Sequence, residues 1–161
     1  MLVKHNLLIN GGQLQSPEYV YDKTMDSISV KNGKVYVKDL RTSMAGFTKD
    51  GLRENTIGLN NDSTHYIGFY GSVEGNIDIY KGQYKPHLTK GNFNYIELKG
   101  AEIKGPMHIR SYTGANVILE KLCIFEGAIG DIFIPCIKDL PTDKQALLPP
   151  EGEYQEIIPN N

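Results

Sequence analysis

The 161-residue chain has no tryptophan and only two cysteines, Cys123 and Cys136. Both cysteines fall in apolar segments that we predict to be strands, so we interpret them as small buried hydrophobic residues rather than as a disulfide. These two cysteines and four scattered histidines do not supply the ligand spacing of a zinc site. We therefore expect a fold that depends on its hydrophobic core.

Long apolar runs and clustered charge are also missing. No run approaches the roughly 18 residues that can span a bilayer, and the first ten residues show no secretory-signal pattern. The formal net charge is only -2, whereas binding to duplex DNA or to an anionic membrane requires clustered basic residues. We expect a soluble protein that is made in the cytoplasm without a signal peptide, with no nucleic-acid partner and no membrane insertion.

The chain lacks the short motifs of common catalytic sites. We find no phosphate-binding loop, no dinucleotide-binding glycine pattern, no H-E-x-x-H and no G-x-S-x-G. The polar side chains that could serve catalysis are interpreted as solvated positions on strands: His65, Asp78, Glu97 and His108. We predict no catalytic residue and no enzymatic activity. A glycan-degrading enzyme is a weaker alternative, which requires two carboxylates about 5 to 10 Å apart in a cleft.

What the chain does have is a series of short segments with apolar residues at alternate positions, which is typical of β-strands. The clearest two flank Asn32 and Gly33, a pair that favours a tight hairpin. Residues 117–125 and 131–137 are predicted to be the last two strands. In all, eight or nine antiparallel strands predict an all-β sandwich or barrel. The pattern weakens over residues 41–63, where we expect a long surface loop.

One domain is predicted over residues 1–139, since a chain of this length can bury a substantial core. After it, Thr142 can begin a short helical turn that Pro149 and Pro150 end. Residues 140–161 are predicted to be a proline-containing C-terminal tail that lies along the body or frays.

Alternation also assigns residues to the two faces of the strands. The predicted inward residues are Ile67, Phe69, Ile77, Ile79, Ile96, Leu98, Met107 and Ile109. The predicted outward face contains the candidate ligand-binding residues, which are Tyr66, Tyr70, Asp78, Tyr80, Tyr95, Glu97, His108, Arg110 and Tyr112. Tyr36 and Lys99 are assigned to the outward side as well.

This tyrosine-rich face has three open interpretations. Tyrosine rings stack on sugar rings, and the polar side chains between them can bond sugar hydroxyls, which favours a saccharide site. The same composition suits a protein–protein interface. Cross-strand tyrosines also stabilise an exposed sheet without any further function.

Both ends of the chain resemble one family of domains. Residues 121–127 and 134–139 are similar to the closing strands of carbohydrate-binding-module-like jelly rolls in phage tail and baseplate proteins. Residues 6–11 are similar to the opening of the same domains. Residues 139–154 resemble the segment that often follows such a domain in virion proteins of phages that infect Gram-positive bacteria. The chain departs from the usual pattern at Phe125 and Glu126, at Gly130 and Asp131, and at Phe133, where tryptophan is common.

The resemblance implies a jelly-roll β-sandwich and a location in the virion. The predicted function is a non-enzymatic tail or baseplate accessory module that binds a host cell-surface saccharide, through the tyrosine-rich face or through residues 41–63. The alternative is a structural head or tail protein that decorates the particle, docks on other virion proteins and binds no glycan. In either case we expect a homo-oligomer in the particle. Some relatives hold calcium with their terminal aspartate, so Asp139 is a minor calcium candidate; no other cofactor is expected.

Overall fold

The computed structural model describes residues 1–12, 14, 28–47, 51–80 and 82–155, without the side chains of residues 44–47. The strands in these residues are β1 (Leu2–Val3), β2 (Ile28–Lys31), β3 (Lys34–Leu40), β4 (Ser43–Phe47), β5 (Thr64–Glu74), β6 (Asp78–Ile79), β7 (Lys85–Pro86), β8 (Leu88–Lys90), β9 (Phe93–Lys99), β10 (Met107–Arg110), β11 (Ala115–Glu126) and β12 (Gly152–Glu153). Short 3-10 helices span Arg53–Asn55, Gly100–Glu102, Ile137–Asp139 and Thr142–Leu147.

The strands form three antiparallel sheets. The largest has six strands in the order β2-β3-β11-β5-β9-β8, the second has the order β4-β10-β6-β7, and β1 pairs with β12. The long strands β5 and β11 pair along most of their length and form the centre of the six-stranded sheet. The predicted all-β fold is confirmed, with more strands than the eight or nine expected. The jelly-roll strand order stays a prediction.

The core lies between the six-stranded and the four-stranded sheet. One cluster of buried side chains combines residues of the larger sheet, such as Val37 and Ile67, with Ile79 and Ile109 of the smaller one. Burial of such a continuous apolar layer between two sheets is the main stabilising contribution in a sandwich. Every residue that alternation places inward is less than 4 % exposed. The period of two therefore identified the core side of these strands correctly.

The predicted hairpin is confirmed. Asn32 and Gly33 have positive φ angles of 53° and 75°, and Lys31 pairs directly with Lys34 across the turn. The predicted helical turn is present as the 3-10 helix Thr142–Leu147. No helix in the described residues is long and apolar enough to cross a membrane.

Three predicted boundaries are wrong. Residues 131–136 are not a strand but an irregular segment, in which Phe133 packs against the aromatic side chain of Tyr70. The sequence predicts a turn at residues 72–74, between two alternating segments, but these residues belong to β5, because β11 continues to pair with it as far as Glu74. The expected loop over residues 41–63 contains β4 and a 3-10 helix; residues 48–50 lie outside the described residues.

The N-terminal segment follows the edge of β11 beyond the point where β3 ends. β3 pairs with β11 only between Ala115 and Leu119. Beyond it, Leu7 N–H donates to the Ile124 carbonyl at 3.0 Å, and Leu122 N–H donates to the Gly11 carbonyl at 2.7 Å. A Cβ atom on Gly11 would lie 2.2 Å from the Leu122 carbonyl oxygen, so only glycine permits this approach.

Asn6 completes this edge with its side chain. The residue is fully buried. Its Oδ1 accepts hydrogen bonds from Leu8 N–H at 2.9 Å and from Ile124 N–H at 3.0 Å, while its Nδ2 donates to the Leu122 carbonyl at 3.0 Å. The side-chain amide therefore replaces the peptide group of a neighbouring strand and satisfies buried backbone groups of β11.

The C-terminal tail docks on the same N-terminal segment as far as Tyr154. β12 pairs with β1, and Tyr154 N–H donates to the Met1 carbonyl at 2.8 Å. Glu151 accepts a hydrogen bond from His5 N–H at 2.8 Å. Residues 149–154 thus lie along the body; residues 156–161 lie outside the described residues. The domain boundary at residue 139 stays a prediction.

We predict that Asn6→Ala lowers the free energy of unfolding by about 3 kcal/mol or more, because it leaves several buried backbone groups without partners at about 1–3 kcal/mol each. Urea denaturation followed by circular dichroism measures the change. Asn60→Ala is the matched control, since the exposed Asn60 side chain accepts one hydrogen bond from the described residues, from Asp62 N–H, and it should cost about 1 kcal/mol or less. Equal losses for the two variants would contradict the bridging role of Asn6.

Candidate functional site

The nine candidate residues do not form one continuous face. Two of them are buried, three belong to an aromatic cluster on the six-stranded sheet, three lie on the four-stranded sheet or just beyond it, and Glu97 is exposed on β9. Glu97 borders a small depression of about 240 Å³ that it shares with Lys85 and Lys99. A single tyrosine-rich site built from all nine residues is therefore wrong as a description of the surface.

Tyr80 and His108 were placed outward by alternation, and both are buried. Tyr80 is fully buried, and it follows the end of β6 with a positive φ of 83°, which breaks the period of two. Its hydroxyl is bonded to the backbone of Glu102 and Lys104, and burial raises the pKa of the phenol. His108 is 7 % exposed and lies where the register between β10 and β4 shifts. Both residues belong to the interior.

His65 also differs from its expected role as a solvated strand residue, because it is fully buried. Its Nδ1 lies 2.9 Å from the Ser63 carbonyl oxygen, and its Nε2 lies 3.6 Å from a carboxylate oxygen of Glu126. The ring packs at the end of β5, where a Cβ atom on Gly100 would lie 3.0 Å from it. The position is an interior one without access to a ligand.

Tyr66, Tyr70 and Tyr95 lie on the outer face of the six-stranded sheet, as expected, but they pack among other aromatic side chains. The aromatic cluster comprises Tyr66, Tyr70, Phe93, Tyr95, Cys123, Phe125, Ile129 and Phe133. The Tyr66 and Tyr95 rings meet edge to face at 5.8 Å, and the Tyr70 ring lies 5.7 Å from Phe133. These tyrosines are half-buried, so packing accounts for their rings.

Both cysteines are free and buried, as the sequence predicts. Cys123 lies in the aromatic cluster, and burial raises the pKa of its thiol well above the ordinary value. Burial also raises the pKa of the Cys136 thiol. Neither sulfur has the exposed, electropositive setting of a reactive cysteine.

Asp78, Arg110 and Tyr112 do come together, on the side of the molecule formed by the four-stranded sheet. Arg110 Nε donates to Asp78 Oδ2 at 2.9 Å, and this hydrogen bond raises the pKa of the guanidinium. The guanidinium carbon lies 3.7 Å from the centre of the Tyr84 ring and 5.4 Å from that of Tyr112. Tyr112 is 69 % exposed. We call Asp78, Tyr84, Arg110 and Tyr112 the arginine cluster.

A concave surface lies elsewhere, on the outer face of β2, β3, β11 and β5. It is a groove of about 910 Å³. Its floor is a row of four residues that are aligned directly across the strands: Ser29, Tyr36, Ile118 and Ser72. A half-buried aromatic ring and an isoleucine are thus flanked by two hydroxyl groups. We call this surface the groove.

Two polar rows border the floor of the groove. On one side Lys31 pairs with Lys34, whose ammonium group forms an ion pair with Glu120 at 2.6 Å. On the other side Asn116 pairs with Glu74 and donates to its carboxylate at 3.1 Å. Lys38 lines the groove beside them.

The sequence contained part of the signal for this groove. Alternation in the hairpin puts Ser29, Lys31, Tyr36 and Lys38 on one face, and Tyr36 was assigned outward. The other half comes from Ser72 of β5 and Ile118 of β11, which lie more than 30 residues from Tyr36 along the chain. Which of their residues meet Tyr36 depends on strand register, and single-sequence alternation does not reveal it.

Asp139 does not have the surroundings of a calcium ligand. Its Oδ1 accepts a hydrogen bond from Asn10 N–H at 2.7 Å, and burial raises the pKa of this carboxyl group. The described residues contain no group of three or more histidine, cysteine, aspartate or glutamate side chains placed to hold a metal. Since calcium takes six or more oxygen ligands, Asp139 fits its observed role as a partner of the N-terminal segment.

The buried hydroxyl groups of Tyr70 and Tyr80 yield a paired prediction. The Tyr70 hydroxyl is buried without a partner among the described residues, so Tyr70→Phe should leave stability unchanged or raise it by up to about 1 kcal/mol. The Tyr80 hydroxyl bonds buried backbone groups, so Tyr80→Phe should lower stability by about 1–3 kcal/mol. Thermal and urea denaturation measure both variants. A loss in Tyr70→Phe as large as that in Tyr80→Phe would contradict this assignment.

Comparisons with known proteins identify no relative from which a function could be inferred, so a functional proposal depends on these surfaces. No family model matches the chain, and no curated protein or solved structure matches it. Two surfaces of the described residues combine an aromatic ring with exposed charged or polar groups outside the aromatic cluster, namely the groove and the arginine cluster. The groove differs from the arginine cluster in being concave, which is the usual form of a small-ligand site.

Proposed function

We propose that this protein is a non-enzymatic phage virion module, part of a tail or baseplate, that binds a host cell-surface saccharide in the groove. The observation that carries the saccharide part is the lining of the groove. The proposal of a virion location and of a jelly-roll strand order rests on the resemblance of the two chain ends to phage tail and baseplate domains. Other virion proteins and further copies of the chain are its proposed partners in the particle.

The groove offers the contacts that a sugar chain requires. A sugar ring has an apolar face formed by C–H groups and a rim of hydroxyls, so it pairs with an aromatic or aliphatic surface flanked by hydrogen-bonding groups. Tyr36 and Ile118 provide the apolar surface. Ser29 and Ser72 lie at the two ends of the same row, where their hydroxyls can donate to or accept from sugar hydroxyls.

The absence of catalysis in this proposal also follows from the lining. Among the described residues that line the groove, Glu74 is the only carboxylate. Hydrolysis by the usual mechanism needs a second carboxyl group about 5 to 10 Å away across the cleft. A binding site without that pair holds a glycan without cleaving it.

A single shallow groove binds weakly, and the particle compensates by repetition. Several copies of the module on one virion present several grooves to the same cell wall, so that the second contact forms at a high effective concentration. Homo-oligomerisation in the particle is therefore part of the proposal.

The arginine cluster supports a second candidate function, which is docking on another virion protein without glycan binding. Arginine and tyrosine are enriched among the residues that dominate protein–protein interfaces, and Tyr112 is largely exposed beside Arg110. Light scattering that shows a clean monomer, together with no association with isolated particles, would count against this candidate.

We predict that Tyr36→Ala weakens saccharide binding about tenfold, because the loss of one aromatic contact of about 1.4 kcal/mol has this effect. The measurement is binding of the purified protein, immobilised at high density, to cell walls and wall polysaccharides of Gram-positive bacteria. Tyr112→Ala is the matched control, since it removes an exposed tyrosine outside the groove and should bind as the original chain does.

Three results would be informative in different ways. Loss of binding in Tyr112→Ala with retention in Tyr36→Ala would move the site to the arginine cluster. No binding to any wall or polysaccharide, even with dense immobilisation, would overturn the saccharide function. Circular dichroism of both variants shows whether a loss reflects the site or the fold.

A further inference from the structure

We propose that the groove selects acidic polysaccharides, whose negative groups repeat along the chain, over neutral ones. This inference rests on the proposed saccharide function and names the class of ligand that the same site would take. It is drawn from the charges that border the floor of the groove.

Two ammonium groups at the groove have no partner in the part of the chain that the structure describes. Lys31 and Lys38 are both exposed and line the groove, and no described side chain forms an ion pair with either of them. Lys34 differs, because Glu120 neutralises it at 2.6 Å. An unpaired ammonium group at the rim of a site is available to a negative group of a ligand.

The carboxylate in the same groove is already engaged. Glu74 accepts a hydrogen bond from Asn116 Nδ2 at 3.1 Å. It lies on β5, on the opposite side of the groove from Lys31 of β2 and Lys38 of β3. The described lining therefore holds two ammonium groups and one carboxylate, whereas the whole chain has a formal charge of -2. The described lining of the groove is therefore positive while the protein is weakly negative, which favours an anionic ligand.

The spacing of the two lysines favours a polymer with repeated charges. Lys31 pairs with Lys34, and Lys38 lies four residues farther along β3, which corresponds to ~13 Å at the strand rise. Tyr36 and Ile118 form the floor between these positions. A sugar chain that lies across the floor can bring one acidic group to each lysine, whereas a single small anion can meet only one of them.

The selectivity is tested with three probes of different chemistry. Polygalacturonate is an acidic polysaccharide, dextran is a neutral one, and poly-L-glutamate is a polyanion without sugar. The full chain is immobilised at high density, and binding of each probe is measured at low and at physiological salt. We expect polygalacturonate to bind about tenfold or more tightly than dextran and more tightly than poly-L-glutamate, and its binding to weaken as salt screens the lysines.

Substitutions locate the charge effect. Lys31→Gln and Lys38→Gln should each weaken polygalacturonate binding about threefold, and the double variant about tenfold, without changing dextran binding. Lys144→Gln removes an exposed lysine of the C-terminal 3-10 helix, outside the groove lining, and should have no effect. Glu74→Gln should strengthen polygalacturonate binding, since it removes the negative charge of the groove.

The outcomes separate this inference from the proposed function. If dextran binds as tightly as polygalacturonate and the lysine variants change nothing, charge selection is wrong while saccharide binding stands. If poly-L-glutamate binds as tightly as polygalacturonate, the groove responds to charge alone, and selection of an acidic saccharide is overturned. If no polysaccharide binds, including wall polysaccharides, both the inference and the proposed function fail.

Discussion

The structure depends on how the C-terminal half of β11, after Leu119, satisfies its backbone hydrogen bonds. β3 covers the edge of this strand only as far as Leu119, and the buried peptide groups beyond it need partners, since an unpaired one costs about 1–3 kcal/mol. Asn6 provides some of these partners with its side-chain amide. Leu7 and Gly11 provide others with their backbone groups. The first residues of the chain thus act as an extra partner for its central sheet.

This N-terminal contact also determines which parts of the outer face stay accessible. Asn6 N–H donates to the Ile134 carbonyl at 2.9 Å. Asp131 N–H donates to the Leu2 carbonyl, and Leu2 N–H donates to the Asp131 carboxylate. These bonds hold residues 131–134 across the six-stranded sheet, where Phe133 packs against Tyr70 and under the ammonium group of Lys121. On one half of the outer face, residues 131–134 cover the aromatic cluster. The other half, which includes the β2–β3 hairpin, forms the groove.

Local pattern was sufficient for the fold class, the hairpin and the core side of most strands, because side-chain alternation and turn residues act within a few positions. It failed where the backbone departs from a regular strand. Tyr80 has a positive φ and His108 lies at an irregular register, and both side chains are buried instead of exposed. Residues 131–136 are mostly apolar, and this pattern predicted a strand. They pack through side chains such as Phe133 and form no β-strand pairing. Only the hairpin residues of the groove could be predicted from the sequence, since the position of Ile118 and Ser72 beside them depends on the register between strands distant in the chain.

An extra residue in β11 connects the two halves of the outer face. The register against β5 shifts between Leu119 and Lys121, so Glu120 is the additional residue. Before it, Ile118 faces the groove; after it, Cys123 and Phe125 face the aromatic cluster. The shift coincides with the point where β11 exchanges β3 for the N-terminal segment as its neighbour. Glu120 also forms an ion pair with Lys34, so the additional residue of β11 neutralises one of the lysines beside the groove.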